Sequence, residues 1–527
     1  MSLVPASVAG DVLVATRFLL GLPGFLRRPL DGATARTIVR ARLARRGDDF
    51  LDLARRFVYG TPGSPYRDLL RHAGCEYGDL ERLVREEGVE GALATLLRRG
   101  VFLTIDEFKG RRPVVRGSAR VEVAPATLVN PSIRLLFVAH SSGSRGPRTP
   151  VPLDLAFVRA HAVNRRLSLE ARGALGWRHA VWGSPGGAEM SIVLRFAIAG
   201  TRLERWFTPP DSQRARMPLA YRLNALAMRA GGLLAGVRLP LPTPSAHLAI
   251  ARWMADTLRA GATPHLKTYA SMAVQLCELA AASGIDVAGT RFTLTGEPLT
   301  PARAESLARH GTRAAPDYGS NETGQVGEPC AAPGPVDDLH LLDDLHGVIQ
   351  AGPGGQVHGL PPRALLVTSL RPTTPLVLLN VSMGDEAWLT TRSCGCPLEA
   401  NGWRRHLHTV RSFEKLKTGG VTFHDTDVVR VLEERLPARF GGAPAHYQVV
   451  EEEDAQGVAR LCILVDPAVG AVDLHAVAET FRQAFGDPAP WREPDVVRAV
   501  SALPRRTASG KILHLHREST DAPSARS

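Results

Sequence analysis

Short β-rich runs alternate with helical segments between residue 111 and about residue 408, and this alternation restricts the possible folds more than any other feature of the chain. The β-rich runs are Ile192–Phe196, Arg291–Leu294 and Ala364–Thr368. The helical segments are Ser245–Arg259, Tyr269–Ala282 and Pro301–His310. Strands and helices in alternation predict an α/β core with mixed sheets.

The chain has 527 residues, enough for more than one domain, and we divide it into three parts. Residues 1–110 carry apolar side chains at a spacing near 3.6, which predicts a mostly helical region packed on the rest. Residues 111–410 form the large core. Residues 411–527 are predicted to form a small α+β domain, with helices and strands at Asp427–Leu436, Gln448–Glu451, Leu461–Val465 and Leu474–Ala484.

One lysine near the C-terminus is the first candidate for chemistry. Only five lysines occur among 64 Lys and Arg residues, and one of them, Lys511, follows Ser509-Gly510. A compact ammonium on a flexible stem can enter a narrow pocket and solvate a carboxylate or phosphoryl oxygen better than a planar guanidinium can. Taken alone, a lysine in this position is usually a solvated surface charge.

A serine- and glycine-rich stretch, Ser141–Thr149, directly follows the apolar run Ile133–His140. The apolar run predicts a buried strand. Small residues after it let backbone amides approach the oxygens of an anion closely. The alternative is an ordinary surface turn, and no Gly-Lys-Ser/Thr follows to make a Walker motif.

A third motif is Asp317–Gly324, which places an aromatic side chain, a tight turn and a carboxylate close together. Tyr318 can stack on a purine ring. Glu322 can hold a magnesium ion that bridges phosphates. Taken alone, this stretch too is compatible with an ordinary loop.

In this order and at these separations, the three motifs resemble those of the adenylate-forming superfamily, which includes acyl- and aryl-CoA ligases, adenylation domains and luciferases. The resemblance extends from about Phe102 to Glu518 and is closest to the phenylacetate-CoA ligase-like group and its acyl-protein synthetase relatives. Thr295–Thr300 is similar to the Gly-Gly-Glu-Pro-Leu segment of that group. Leu366–Leu370 leads, as in the relatives, to Met383-Gly384-Asp385.

The resemblance implies that ATP activates a carboxylic acid to an acyl- or aryl-adenylate with release of pyrophosphate, and that CoA then takes the acyl group. It assigns catalysis to Lys511 and Glu322, with Mg²⁺ on Glu322. It makes residues 411–527 a mobile lid that carries Lys511 and turns about a hinge near Arg411. The residues that it assigns to nucleotide binding are Ser141, Ser142, Gly143, Ser144, Arg145, Gly146, Thr149, Gly296, Glu297, Asp317, Tyr318, Gly319, Asp385 and Arg411.

The sequence also departs from the family pattern. Arg145 and Pro147 stand where relatives have Thr and often Lys, and Phe413-Glu414 replaces the usual hinge residues. Adenylation remains the expected reaction, with a small or aromatic acid as substrate. One alternative is transfer to an amine or a carrier-protein thiol, as in relatives from secondary metabolism. A contrasting alternative is a non-catalytic, zinc-containing binding protein.

Four of the cysteine and histidine residues have a spacing that suits a metal. Cys394-Gly395-Cys396 fits two thiolates on one ion, with Cys330 and His340 about sixty residues earlier. Three thiolates and one imidazole make a closed, tetrahedral structural zinc site. The alternative is that these cysteines are small buried apolar residues. Phenylacetate-CoA ligase-like proteins show a similar pattern, which favours zinc, with His346 as a competing ligand.

Charge and hydropathy bear on partners and location. The formal net charge of +12 favours anionic ligands such as ATP and CoA. Arginines spread along helical stretches, without interleaved aromatic residues, do not predict nucleic-acid binding. We also predict no membrane span, because no apolar run approaches 18–20 uncharged residues. The apolar N-terminus is interrupted by Arg17, which predicts a helix lying on the protein's own core and a cytoplasmic protein.

Overall fold

Six helices form the N-terminal part of the computed structural model, which describes residues 8–140, 149–183, 185–209, 218–352, 360–412, 416–418, 421–423, 425–453, 459–486, 496–506, 512 and 514–517. They are α1 (Val8–Leu26), α2 (Gly32–Ala44), α3 (Arg46–Leu53), α4 (Pro65–His72), α5 (Tyr77–Arg98) and α6 (Ile105–Phe108). Leu80, Leu93 and Leu96 of α5 are buried, as their spacing predicts. Beyond α5, Leu103 donates a backbone hydrogen bond to Asn380. The helical region therefore packs directly on the core.

Among the described helices, α1 alone is long and apolar enough to cross a membrane, judged by length and composition only. Its Phe18 and Leu22 are fully buried, and the ring centroid of Phe18 lies 5.4 Å from that of Phe137. One face of α1 therefore packs against the protein, as the sequence predicts.

The first large sheet consists of six parallel strands. Two hairpins and a helix precede it: β1 (Val114–Arg116), β2 (Ala119–Val121), β3 (Phe137–His140), β4 (Pro150–Leu153) and α7 (Leu155–Ala171). Its strands are β5 (Arg178–Trp182), β6 (Arg202–Thr208), β7 (Pro242–Pro244), β8 (Pro264–Thr268), β9 (Arg291–Leu294) and β10 (Arg313–Pro316). The helices between them are α8 (Gly187–Ile198), α9 (Leu219–Leu234), α10 (His247–Arg259), α11 (Ala270–Ala282) and α12 (Pro301–Arg309). The strand order β10-β9-β8-β5-β6-β7 brings the carboxyl ends of β8, β9 and β10 side by side.

The second large sheet has seven antiparallel strands. They are β11 (Tyr318–Ser320), β12 (Gly324–Pro329), β13 (Leu339–Leu341), β14 (His346–Gln350), β15 (Ala364–Ser369), β16 (Val381–Thr391) and β17 (Arg405–Ser412). Their order is β11-β12-β13-β17-β16-β15-β14. Strand β16 therefore lies two positions from β13, with β17 between them, and this arrangement matters for the metal ligands described below.

The C-terminal part begins with a short hairpin, β18 (Leu416–Thr418) and β19 (Val421–Phe423). The elements that follow are α13 (Asp425–Arg430), α14 (Leu436–Phe440), β20 (Tyr447–Glu453), β21 (Ala459–Val465), α15 (Leu474–Ala484), β22 (Val497–Ser501) and β23 (Leu515–Arg517). The sheet order is β22-β21-β20-β23. Strand β20 pairs antiparallel with β21 and parallel with β23, so this small sheet is mixed.

The predicted α/β class with a small α+β C-terminal part is confirmed, with three local corrections. Ile192–Phe196 lies within α8 and is not a strand. The predicted strand Ile133–His140 is reduced to β3. The predicted helix Asp427–Leu436 continues through a π-helical turn into α14 and ends at Phe440. The large core contains one parallel and one antiparallel sheet.

Candidate active site

Two residues assigned to nucleotide binding and the start of one helix lie at one edge of the parallel sheet. Tyr269 follows β8, Gly296 follows β9, and Asp317 follows β10. These strands are neighbours and parallel, so their carboxyl ends meet. In open α/β sheets, ligands bind in the crevice beyond such ends. The fold thus brings Gly296 and Asp317 beside the start of α11 at Tyr269.

The turn between β11 and β12 is shaped by two glycines. A Cβ atom on Gly319 would lie 2.2 Å from the carbonyl oxygen of Gly324, which is far inside contact distance. Gly324 has φ +73°, and a Cβ there would lie 2.4 Å from Nε2 of His161. Only glycine fits at either position. The tight turn holds Asn321 and Glu322 at its tip.

Glu322 is buried, and Nζ of Lys109 donates a hydrogen bond to its Oε1 at 2.5 Å. The same ammonium lies 3.3 Å from Oγ1 of Thr149. Nδ2 of the neighbouring Asn321 donates to the carbonyl oxygen of His140 at 2.6 Å. His140 and Thr149 are the described residues on either side of the predicted phosphate loop. Both flanks of that loop are therefore fixed beside the magnesium candidate.

Several predicted residues lie outside the described part of the chain. They are Ser141, Ser142, Gly143, Ser144, Arg145, Gly146 and Lys511. The roles assigned to them remain predictions from the sequence.

Tyr318 and Asp385 come together from different strands. The Tyr318 hydroxyl donates a hydrogen bond to Oδ2 of Asp385 at 3.0 Å. Burial, followed by the charge of Asp385, raises the pKa of Tyr318 well above its usual value, so the phenol stays neutral. An aromatic ring and a carboxylate side by side suit the base and the ribose of one nucleoside.

Arg411 does not join this pair. Asp385 is opposite Ser412 in the β16–β17 pairing, whereas Arg411 is opposite Glu386. Because neighbouring residues in a strand point to opposite faces, Arg411 is directed away from Asp385. Its NH1 forms an ion pair with Asp337 at 3.2 Å. The structure thus separates two residues that the sequence assigned to one ligand.

Asp317 has a buried partner set of its own. Its carboxylate pairs with the ammonium of Lys267 and, at 2.7 Å, with Arg165. Burial acts to raise the pKa of Asp317, but these two cations lower it. Burial lowers the pKa of Lys267 to about 8. The buried Asp317 carboxylate is therefore held by Lys267 and Arg165 at the start of β11.

Glu297 lies in a charged cluster between the core and the C-terminal part. Arg303 of α12 contacts Glu297 at 3.2 Å and Glu433 at 2.7 Å. Nε2 of His514 lies 2.8 Å from Oε1 of Glu433. Arg303, Glu297 and Glu433 are nearly inaccessible to solvent. We name Arg303, Glu433 and His514 the interdomain cluster; His514 stands three positions after Lys511.

The interdomain cluster gives a first prediction. Glu433→Gln should lower the free energy of unfolding by about 3 kcal/mol, because it leaves the buried Arg303 short of a counter-charge. Burial acts to raise the pKa of Glu433, but Arg303 and His514 lower it to about 2. Its ionic contribution is therefore complete above pH about 4.5 and is lost as the pH falls towards 2. Chemical denaturation measures the change.

The neighbouring Glu434→Gln is the control, because Glu434 is half exposed and pairs with Arg430 one turn away on the helix. We expect it to change stability by less than about 0.5 kcal/mol. Equal effects of the two substitutions would contradict the role given to the interdomain cluster.

The four predicted zinc ligands converge. One ligand atom from each of Cys330, His340, Cys394 and Cys396 lies within 4.8 Å of the other three. Nε2 of His340 is 3.0 Å from Sγ of Cys396 and 3.6 Å from Sγ of Cys394. Three thiols and one imidazole in a buried cluster match a tetrahedral zinc site. We name these four residues the Cys3His cluster.

Neighbouring groups orient the ligands of the Cys3His cluster. Nδ1 of His340 lies 2.8 Å from the carbonyl oxygen of Trp403 and donates to it, which leaves Nε2 free to bind a metal. Glu399 accepts backbone hydrogen bonds from Cys394 and Gly395 at 2.9 and 2.7 Å. With the hydroxyl of Ser393, these bonds lower the pKa of Glu399 to about 2.

The competing ligand His346 lies elsewhere. Its Nε2 contacts the carbonyl oxygen of Gln325 at 2.9 Å, and among the described residues it belongs to no metal-binding group. Asp338 and His406 form a second possible group with Cys330. Asp338 already contacts His406 at 2.8 Å and pairs with Arg392, so the Cys3His cluster is the better-formed site.

Sequence reasoning missed two site residues. Lys109 reaches Glu322 across 213 positions, and Arg303 reaches His514 across 211. The signal in the sequence that could point to Lys109 is the scarcity of lysine. Nothing distinguished Arg303 from the many other arginines.

No family model and no curated protein matches the chain. Solved structures do match. 2-Hydroxyisobutyryl-CoA ligase, in the postadenylation state with 2-HIB-AMP, has 14% identity and a TM-score of 0.49, covering 94% of this chain and 89% of its own. The amide bond synthetase McbA from Marinactinospora thermotolerans has 16% identity and a TM-score of 0.41, covering 96% and 98%. The anthranilate CoA ligase AuaEII, in complex with anthranoyl-AMP, has 14% identity and a TM-score of 0.41, covering 77% and 70%. These three solved structures are similar to this chain at identities of 14–16% and TM-scores below 0.5.

Proposed function

We propose that this protein activates a carboxylic acid with ATP, releasing pyrophosphate and forming an acyl- or aryl-adenylate, and then transfers the acyl group to CoA. The observation that carries the proposal is the contact of Lys109 with both Glu322 and Thr149, at the flanks of a serine- and glycine-rich segment. Tyr318 and Asp385, joined at 3.0 Å, add a place for a nucleoside.

The first step brings two anions together, so charge neutralisation and positioning account for most of the rate gain. Tyr318 flanks the adenine and Asp385 accepts from the ribose hydroxyls. Asn321 and Lys109 hold the two flanks of the phosphate segment. Lys511 neutralises the charge that develops between the attacking carboxylate and the α-phosphate.

Glu322 is the residue that would hold Mg²⁺, since its carboxylate is a hard oxygen ligand beside the phosphate segment. The ion would neutralise phosphate charge. In the structure, the Lys109 ammonium takes the place of that cation on Glu322. We infer that Lys109 turns from Glu322 to the phosphates when the metal–nucleotide complex binds.

The Cys3His cluster would hold a structural Zn²⁺. Its donor set has the composition of a closed site, and its residues lie at the end of β12, within β13 and in the segment between β16 and β17. The ion would tie these parts of the second sheet together and take no part in the reaction.

Acid-dependent release of pyrophosphate from ATP tests the proposed reaction. A panel of aryl, alkyl and amino acids is assayed with and without CoA, and the products are identified by mass spectrometry. Release that depends on one acid supports adenylation, and an acyl-CoA product supports CoA as acceptor. A product formed with an amine or a carrier protein would replace CoA as the proposed acceptor and would leave the proposed adenylation step unchanged. No release with any acid would favour a binding protein.

Lys511→Ala separates the two half-reactions. We expect pyrophosphate release to fall on the order of 10²-fold, because one preorganised charge is removed from the first transition state. Transfer from a preformed acyl-adenylate to CoA should change less than about threefold, because the proposed role of Lys511 is confined to the adenylation step.

Arg505→Ala is the matched control, because Arg505 is six positions away and pairs with Glu452 at 3.0 Å. It should leave both half-reactions close to the starting rate. Equal loss of the two half-reactions in Lys511→Ala would contradict the assigned role.

A further inference from the structure

The described surface carries an apolar face on two neighbouring helices. Thirteen large hydrophobic side chains are exposed in the described part of the chain, and eight of them lie on α1 and α9. They are Val8, Val12, Leu13 and Leu20 on α1, and Leu219, Leu226, Leu233 and Leu234 on α9. Leu20 is 75% exposed and Leu226 is 62% exposed. Concentrated exposure of this kind marks an interaction site, whereas single exposed leucines do not.

The two helices form one surface because their last turns are in contact. A Cβ atom on Gly231 of α9 would lie 2.9 Å from Cδ2 of Leu22 in α1. Arg27, directly after α1, donates a hydrogen bond to the carbonyl oxygen of Leu234 at 2.6 Å. The side of α1 that faces away from solvent is packed in the core, where Phe18 and Leu22 are fully buried. The exposed sides of both helices therefore face outward together.

Positive charge is interleaved with the apolar side chains of α9. Leu219, Leu226 and Leu233 recur every seven residues, and Arg222 and Arg229 recur between them at the same interval. Seven residues are close to two helical turns, so these five exposed side chains share one side of the helix. The α9 sequence contains no Asp or Glu. On α1 the charged residues are Asp11, which is half-buried, and Arg17, which is exposed. The surface is thus apolar and, on α9, cationic.

We propose that the outward face of α1 and α9 binds the surface of a bilayer that contains anionic lipids. A helix with leucines and arginines on its exposed side lies in the plane of the interface, where the leucines enter the acyl region and the arginines reach the headgroups. Leucines seven residues apart on α9 are too sparse for a helical partner, which requires an apolar residue about every 3.5 positions. Because Phe18 and Leu22 are buried in the protein, this proposal places α1 along the bilayer surface.

Vesicle co-sedimentation of the full chain tests this proposal. Vesicles of phosphatidylcholine are compared with vesicles that also contain phosphatidylglycerol, each at low and high salt. We expect binding only with phosphatidylglycerol, weakened by salt because the Debye length shortens. Arg222→Ala/Arg229→Ala should weaken binding about thirtyfold, since each arginine near an anionic surface contributes a factor of about five.

Leu226→Glu/Leu233→Glu should abolish binding, because it places carboxylates in the face that enters the lipid. Val115→Glu is the control: Val115 is 54% exposed but lies on β1, outside this face, and should bind like the parent. Circular dichroism checks that each variant is folded. Absence of binding to phosphatidylglycerol vesicles would overturn the proposal. So would a dimer in solution that Leu226→Glu/Leu233→Glu dissociates without any vesicle binding, because the face would then belong to a second copy.

Discussion

Glu322→Gln is expected to lower acid-dependent pyrophosphate release on the order of 10³-fold, the largest loss that we predict for a single substitution. Glutamine keeps the shape of the side chain but removes the negative charge that a divalent cation requires. The remaining activity should need a higher Mg²⁺ concentration. Initial rates measured across a Mg²⁺ titration give both quantities.

Two further variants test whether the effect of Glu322→Gln is specific to a magnesium-binding carboxylate. Glu305→Gln changes an exposed carboxylate on α12 and should leave the rate unchanged. Lys109→Met removes the cation that now occupies Glu322, and should reduce the rate less than Glu322→Gln while lowering the Mg²⁺ concentration needed for half-maximal activity. A Glu322→Gln enzyme with normal rate and normal Mg²⁺ dependence would contradict the metal role.

After Glu322→Gln, the largest effect that we expect is on thermal stability, from substitution of a ligand in the Cys3His cluster. The purified protein is expected to contain one zinc ion per chain by elemental analysis, and Cys396→Ser should lose it. Because metal binding contributes to the free energy of folding, the midpoint of thermal unfolding should fall by roughly 5–10 °C. A chelator should lower the midpoint of the parent protein by a similar amount.

Cys462→Ser is the matched control for Cys396→Ser. Cys462 is also buried, but it lies in β21, outside the Cys3His cluster. It should retain the metal and unfold near the parent temperature. Zinc retained in Cys396→Ser, or absent from the parent, would contradict the site.

The sequence predicted elements best where a single pattern dominates. Leu474–Ala484 is found as predicted, since its capping Asp473 and regular apolar spacing both favour a helix. The strand predicted at Ile192–Phe196 was wrong, because a short apolar run with β-branched residues is compatible with either a strand or a buried helix. Met190, Val193 and Leu194 are buried on one face of α8. Burial of that face in the tertiary structure therefore favours the helix over the strand.

The candidate site shows the same division. The Cys3His cluster could be predicted because the identities of its four side chains limit what they can do together. The direction of a side chain could not be predicted in the same way. Asp317 pairs with Lys267, and Arg411 pairs with Asp337, because strand register and buried charge decide such pairings. Lys109 was missed for the same reason, since only the folded chain brings it to Glu322.

The position of the Cys3His cluster along the chain has a consequence for biosynthesis. Cys330 leaves the ribosome 64 residues before Cys394, which at ordinary translation speeds is roughly 3–13 s earlier. For most of that interval β12 exists without β16, because Tyr318 is synthesised well before its partner Asp385. A nascent chain would therefore expose the edge of β13 until β17 has been synthesised. On the structural role that we propose for zinc, cells short of the metal should accumulate this protein as aggregates or degradation products.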